Sequence, residues 1–238
     1  MSAIGDKAAV VSLGMSCQSG EQIRAHAELL ARLTGDPTMR IATSVFDNII
    51  CPPASAVRLL ATDRFHPHDA SALTLSQGAY WKEFDVYFWH EFRLHKRHIL
   101  EYLLGRVNRR RAFRELSGKY EHLSARFRSL KSRERLVFVI SNTQNNLADY
   151  AAETGINPVL DAADVELLCD ACDAYIGRAC EYILASYDDR LTGTLRRSRL
   201  RHYALARDDS PWKGDVGQWE WVFGSYFSSA RRPATAGK

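Results

Sequence analysis

The chain has 238 residues, of which 46% are hydrophobic and 25% charged, a composition typical of an ordinary soluble globular protein. It contains no apolar run as long as a membrane span needs, and its first residues lack the apolar core of a signal peptide. The five cysteines are odd in number and scattered, which argues against a secreted disulfide framework and favours a cytoplasmic protein with reduced thiols.

The formal net charge is +4, and basic residues crowd the segment 96–135. Such a segment can attract nucleic acid or an acidic polymer, but few aromatic residues interleave with its charges. We therefore interpret it as the solvated face of a long helix pair, and we expect neither nucleic acid nor a membrane as a partner. The sequence does not indicate an oligomeric state.

Hydrophobic periodicity predicts strands, in chain order, at 8–13, 39–48, 80–92, 136–142, 182–187 and 202–206. It predicts helices at 18–33, 54–62, 95–135 and 145–153, a helix capped by Asp164, and a last helix within 212–227. The segment 65–79, rich in His, Pro, Ser and Gly, is predicted to be a loop.

The alternation of strand and helix favours an α/β fold with a mostly parallel central sheet flanked by helices. We expect a single domain over 1–228 and a disordered basic tail over 229–238. An α+β papain-like arrangement is the alternative. Functional sites of parallel sheets form at the carboxyl ends of the strands, and Cys17, Asp47 and Asn142 each follow or end a predicted strand.

Cys17 is the candidate nucleophile, because it lies at the turn between the first strand and the first helix. Gly14 ends the strand, and Ser16 is the expected N-cap of the helix. The partial positive charge at a helix N-terminus favours a thiolate, and a sharp turn leaves backbone N–H groups free to hold an oxyanion. The alternative is a small buried cysteine that packs behind the turn.

A cysteine nucleophile needs a base and a group that orients it. His90 is the candidate base, since it lies among aromatic residues near the end of a predicted strand. Its alternative is a packed strand histidine. Asp47, Asn142 and Asp215 are candidates for the orienting group, and each of them is more simply explained as a helix cap or turn residue.

Metal binding is only weakly indicated. Cys169 and Cys172 form a CxxC inside an apparent amphipathic helix, and His66 and His68 share a loop, but nothing completes a zinc-ligand set. No glycine-rich nucleotide-binding motif is present. We therefore expect neither a metal nor a cofactor.

Four short patterns bear on function: Ser12-Leu13-Gly14-x-x-Cys17, Phe46-Asp47, the aromatic-flanked His90, and Trp212-x-Gly214-Asp215-x-x-x-Trp219. Together with a basic helix around 120–127, they resemble a bacterial family of uncharacterised proteins labelled putative papain-like cysteine peptidases. The resemblance implies Cys17 as nucleophile and His90 as base. The strand–helix alternation is also similar to a flavodoxin-like or SGNH-hydrolase-like layout, and in the latter the first strand ends in a nucleophile elbow.

The leading hypothesis is a thiol-dependent hydrolase that acts on an amide, ester or thioester of a small molecule, peptide or glycan. Residues expected to line the substrate pocket are Ser12, Gly14, Ser16, Arg24, Trp89, Trp212, Asp215 and Trp219. An acyltransferase is one alternative. Another is a non-catalytic accessory protein that binds a glycan or an anionic polymer through Arg24 and the tryptophans.

Overall fold

The computed structural model describes residues 8–35, 40–75, 78–88, 109–147, 151, 155–210 and 212–230. Its strands are β1 (Ala8–Ser12), β2 (Arg40–Ala42), β3 (Leu73–Leu75), β4 (Ala79–Trp81), β5 (Val86–Phe88), β6 (Arg135–Ser141), β7 (Leu160–Asp161), β8 (Glu181–Tyr187), β9 (Leu191–Thr192) and β10 (Leu200–Leu205). Its α-helices are α1 (Gln18–Ala25), α2 (Ala27–Thr34), α3 (Pro53–Thr62), α4 (Arg109–Ser129), α5 (Ala162–Ile176) and α6 (Val216–Ala230).

A five-stranded sheet in the order β2-β1-β6-β8-β10 forms the centre of the fold, and all of its neighbouring strands pair in parallel. The apolar runs of β1, β6 and β8 are buried on both faces, as parallel sheets require. Helices α1, α2 and α6 share a core with one face, and α3, α4 and α5 share a core with the other. The predicted α/β class with a parallel sheet flanked by helices is confirmed.

The strand order places a topological switch point between β1 and β6. The chain passes from β1 to β2 on one side and then returns to β6 on the other side. Ligand sites of doubly wound sheets form in the crevice at such a point, outside the carboxyl ends of the two strands. The loops that follow β1 and β6 therefore border the crevice in which a functional site is expected.

A small antiparallel sheet, β3-β4-β5, replaces the single strand predicted at 80–92. The turn at 82–85 reverses the chain with Asp85 in the left-handed region, at φ 57°. Period-two alternation does not reveal such a turn, so that prediction was wrong. Part of the predicted loop at 65–79 is strand β3, which the Leu-Thr-Leu run supplies.

Several predicted boundaries also differ from the structure. The helix expected at 18–33 is interrupted at His26, and the extended segment expected at 39–48 is a strand only at β2. Helix α5 is capped by Asp161, whose Oδ1 accepts from the Ala163 N–H at 2.8 Å, and not by Asp164. Helix α6 extends through Ala230, two residues into the predicted tail.

Other predictions fall partly outside the described residues. These are most of the first half of the helix at 95–135, much of the helix at 145–153, and the tail from 231 onward. Within the part of the chain that is described, no helix combines the length and the apolar character needed to cross a bilayer.

Candidate functional site

The turn from β1 to α1 is a strained elbow that ends in Cys17. Gly14 has φ +100° and Met15 has φ +67°, so two consecutive residues lie in the left-handed region. A left-handed non-glycine residue costs roughly 1–2 kcal/mol. Reciprocal backbone hydrogen bonds hold Met15 against Cys51, at 3.1 and 3.3 Å. Strain of this kind before a strand–helix junction is typical of nucleophile elbows.

Cys17 itself is the N-cap of α1, with φ −70° and ψ −11°. Ser16, the predicted cap, is not the N-cap, and its buried Oγ has no hydrogen-bond partner among the described residues. The Ser12 hydroxyl lies 2.7 Å from the Ser19 hydroxyl and ties the end of β1 to the first turn of α1. Ser12 therefore has a structural contact at the edge of the elbow.

The thiol of Cys17 is 8% exposed and donates to the Gln144 Oε1 at 3.5 Å. Burial raises the pKa of Cys17 to about 11, and the opposing effect of the Arg24 guanidinium is smaller. The expectation of a thiolate at the helix N-terminus is therefore wrong for the protein without a ligand. The sulfur nevertheless contacts a polar side chain, which a cysteine in purely apolar packing would not.

Asp47 lies against the first turn of α1, where Gly20 leaves room for it. A Cβ on Gly20 would lie 2.8 Å from the Asp47 Cγ. The Asp47 Oδ2 accepts from the Arg24 Nη1 at 3.0 Å, and the Arg24 Nη2 donates to Glu21 at 3.0 Å. Burial raises the pKa of Asp47 to about 6, against the lowering effect of Arg24. The structure thus brings together Cys17, Asp47 and Arg24, all singled out from the sequence.

The loop after β6 supplies the other wall of the crevice. Asn142 donates its amide to the backbone oxygens of Pro158 and Arg190, at 3.2 and 2.7 Å. The guanidinium of Arg190, 5% exposed, donates to the backbone oxygens of Asn142 and Gln144, each at 2.6 Å. Asn142 therefore fixes this loop, and the geometry favours its structural interpretation over an orienting role.

Gln144 and Arg190 were missed from the sequence. Gln144 belongs to the polar run 141–146 that directly follows the most apolar strand, and that change of polarity was the available signal. Arg190 left no signal in the sequence, because it lies 46 positions from Gln144 along the chain.

The C-terminal motif packs on α1, the helix that begins at the elbow. Gln22 donates to the Lys213 backbone oxygen at 2.5 Å. A Cβ on Gly214 would lie 2.8 Å from the Gln18 Nε2 and 3.0 Å from the Trp219 Nε1. Trp219 is 1% exposed and belongs to the core under α6, so it does not line an open pocket.

The other two residues of this motif have separate surroundings. The Asp215 Oδ1 accepts from the Gln218 N–H at 2.7 Å, which is the geometry of a helix N-cap. The geometry of Asp215 is therefore that of a helix cap, the structural alternative to an orienting role. Trp212 is half-buried, and the Lys213 Nζ lies 5.3 Å from the centroid of its indole.

His90 and Trp89, which follow β5 directly, lie outside the described residues, so their predicted roles stay predictions. Two histidines that are described have other contacts. The His26 Nδ1 and Nε2 lie 2.9 and 3.1 Å from the backbone oxygens of Gln22 and Val216. The His202 Nε2 lies 2.6 Å from the Ser186 Oγ.

Six of the thirteen buried polar atoms that have no hydrogen-bond partner among the described residues lie around the elbow, in the turn after β2 or at the end of β6. These six are Ser16 Oγ, Gln18 Nε2, Gln22 Oε1, Asp47 Oδ1, Ser141 Oγ and Asn142 Oδ1. Unsatisfied buried polar atoms are few in native proteins, and each calls for an explanation. Their presence at the switch point supports this region as a candidate for a functional site.

A metal centre has little support in the part of the chain that is described, where no group of three or more His, Cys, Asp or Glu residues is arranged to hold an ion. Cys169 and Cys172 are fully buried in α5, and burial raises the pKa of Cys169 to about 12. The His66 and His68 rings lie 5.6 Å apart in their loop.

Comparisons of the chain with protein-family models, with curated proteins and with solved structures gave no match. The family resemblance therefore stays a prediction that rests on the four sequence patterns.

Proposed function

We propose that the chain is a thiol-dependent hydrolase in which Cys17 attacks the carbonyl carbon of an ester, thioester or amide. The observation that carries this proposal is the position of Cys17 on a left-handed elbow at the switch point of the sheet. The five cysteines form no disulfide with one another, which fits a reducing compartment such as a bacterial cytoplasm. The same thioester intermediate would serve an acyltransferase, if an acceptor other than water reached it.

The first turn of α1 supports the stabilisation of an oxyanion. The first intrahelical bond of this turn runs from the Glu21 N–H to the Cys17 carbonyl, at 3.1 Å. The N–H groups that precede it have no acceptor within the helix. Backbone N–H groups fixed near a nucleophile stabilise the negative charge of a tetrahedral intermediate.

The raised pKa of Cys17 requires a proton acceptor for reaction at neutral pH, since the thiol form predominates there. His90 is the acceptor that the resemblance implies. The Gln144 Oε1 accepts the S–H in the resting state, but an amide oxygen is too weak a base to remove the proton.

The test is the hydrolysis of p-nitrophenyl acetate by the full chain at neutral pH. We expect Cys17→Ser to lose roughly 10³-fold in kcat/KM, because the nucleophile is removed. Cys180→Ser is the matched control, since Cys180 is also a buried thiol and directly precedes β8. Equal hydrolysis by wild type and Cys17→Ser would reject the enzymatic proposal and leave a binding protein for a glycan or another polar ligand as the better hypothesis.

A further inference from the structure

A stripe along one side of α1 runs from Cys17 through Gly20 to Arg24. Cys17 has helical backbone angles, so the spacing from residue 17 to residue 20 is that of neighbours on a helix surface. Side chains three positions apart on a helix have Cβ atoms about 5–6 Å apart. Gly20, however, has no side chain to occupy its place in the stripe.

Asp47 fills that place from outside the helix. The position that a Gly20 Cβ would take lies 2.8 Å from the Asp47 Cγ and 2.9 Å from its Oδ1. The carboxylate therefore fills the gap that Gly20 leaves in the stripe, where it pairs with Arg24 and lies near enough to Cys17 to raise the pKa of its thiol. Asp47 reaches this gap from the turn after β2, and it is 2% exposed.

The two oxygens of this carboxylate differ in their surroundings. Oδ2 accepts from the Arg24 Nη1 at 3.0 Å. Oδ1, on the side of Gly20, is buried and has no partner among the described residues. An unpaired carboxylate oxygen in such a position costs free energy, and a role in proton transfer is one reason for a fold to retain it.

We propose that Asp47 is the proton acceptor of the Cys17 thiol, either directly or through one water molecule. This inference rests on the proposed function. It gives Asp47 a chemical role, where the sequence offered only that of orienting a histidine.

The thiol is regenerated within one turnover, and the proton that restores it comes from water. The S–H bond of Cys17 breaks, its proton passes to the Asp47 Oδ1, and the sulfur bonds to the carbonyl carbon. The tetrahedral intermediate collapses, the bond from carbon to the leaving oxygen, nitrogen or sulfur breaks, and the leaving group takes the proton from Asp47. Water then attacks the thioester and gives a proton to Asp47, which returns it to the sulfur as the acid product forms.

The charges around Asp47 suit this role. Arg24 of α1 and Arg126 of α4 lower the pKa of Asp47, and burial raises it more strongly, so that it lies at about 6. A carboxylate with this pKa is ionised at neutral pH and is a better base than an exposed one. Glu21, which also pairs with Arg24, is a further negative group that raises the pKa of Cys17.

The test is the single-turnover acylation of the full chain by p-nitrophenyl acetate as a function of pH. For the wild type we expect a rate that rises through about pH 6 to a plateau, because Asp47 must be ionised to accept the proton. For Asp47→Asn we expect the plateau to be lost and the rate at neutral pH to fall roughly 10²-fold. Glu21→Gln, which removes the other carboxylate on Arg24, should keep the plateau.

The sign of the effect separates this role from simple electrostatics. The negative charge of Asp47 raises the pKa of Cys17, so its removal alone would increase the thiolate fraction and speed acylation. An equal or faster rate in Asp47→Asn would therefore overturn the proposal. It would equally be overturned if the inflection near pH 6 persisted in Asp47→Asn and vanished in His90→Asn, which would identify the histidine as the acceptor.

A second variant keeps the test decisive if Asp47→Asn does not fold. Arg24→Met removes a group that lowers the pKa of Asp47, so we expect the inflection to move to higher pH. An unmoved inflection would contradict the proposal. Failure of the proposed function itself is distinguishable, because Cys17→Ser would then be acylated as fast as the wild type.

Discussion

At the scale of the residue, the contact between Gly20 and Asp47 is the most specific feature of the site. Gly20→Ala would place a methyl group 2.8 Å from a buried carboxylate carbon. We expect a loss of roughly 1–3 kcal/mol in the free energy of unfolding, measured by urea denaturation. Gly118→Ala is the control, because it is exposed on α4 with no atom within 4 Å of the added Cβ. It should be neutral or stabilise by up to about 1 kcal/mol.

The pKa of Asp47 also predicts how stability depends on pH. It lies at about 6 in the folded chain, against an ordinary value of 3.8 when the chain is unfolded, so the folded state binds more protons between these values. The stabilisation is complete below the unfolded pKa and is lost as the pH rises through about 6. Relative to Asp47→Asn, the wild type should lose about 3 kcal/mol between about pH 4 and about pH 7. If the difference in the free energy of unfolding between the wild type and Asp47→Asn did not change with pH, the raised pKa of the buried Asp47 carboxylate would be contradicted.

Single residues could be singled out from the sequence where the signal was local. Cys17 was recognisable because a strand, a glycine and a helix follow one another around it, and Asp47 because it ends an apolar run. The contact of Gln144 with Cys17 spans 127 positions and leaves no local trace. The raised pKa of Cys17 was missed for a related reason, since burial depends on everything packed around the turn.

At the scale of the element, the elbow depends on Gly14. A Cβ there would lie 3.2 Å from the Phe46 ring and 3.4 Å from the Cys51 oxygen, in a left-handed backbone. Gly177 is also left-handed but has no atom within 4 Å of an added Cβ. We expect Gly177→Ala to cost about 1 kcal/mol and Gly14→Ala to cost about 1–3 kcal/mol more, with slower acylation. Equal costs, measured by urea denaturation, would show that the crowding at Gly14 has no energetic effect.

The loop after β6 depends on Arg190 in a similar way. Arg190→Met would leave the buried backbone oxygens of Asn142 and Gln144 without a donor, and we expect a loss of about 2–4 kcal/mol in thermal or urea denaturation. Arg207→Met is a matched control, because both guanidinium groups lie over the Tyr187 ring, at 5.3 and 4.7 Å. Arg207 pairs with the exposed Asp189, so its loss should cost about 1 kcal/mol or less. Similar losses in the two variants would argue that the carbonyl contacts are not what holds the loop.

Elements were predictable where one pattern governs a whole segment, as in β6 and β8. Elements were not predictable where a contact with a distant segment, or a single turn residue, interrupts the hydrophobic pattern. The first helix is interrupted at His26, whose ring lies against the backbone oxygen of Val216 at the start of α6, and the residues around position 26 do not reveal that contact. The turn between β4 and β5 likewise depends on a left-handed Asp85 within an otherwise β-prone run.

At the scale of the whole molecule, the parallel sheet sets a gradient of stability. β1 and β6 each pair with two strands, whereas β2 and β10 are edge strands with one neighbour each. Hydrogen exchange should therefore be slowest in β1 and β6 and faster in β10, as followed by mass spectrometry at neutral pH. Exchange in β10 as slow as that in β6 would indicate that another surface covers this edge.

The fold class followed from the alternation of strands and helices, but the strand order did not, because parallel pairing leaves no mark in a single sequence. The order matters for function, since it alone places the loops after β1 and β6 beside each other. The strand order brings Gln144 into contact with Cys17, and the sequence motif around Cys17 does not reveal that contact.

The most direct measurement is peptide mass mapping of the full chain after brief treatment with p-nitrophenyl acetate at neutral pH. If Cys17 is the nucleophile, the acetyl group will be found on the peptide that contains Cys17, and the other four cysteines will remain unmodified. Hydrolysis that proceeds with no acetyl group on Cys17, or with acetylation spread evenly over the cysteines, would contradict a nucleophilic role for Cys17.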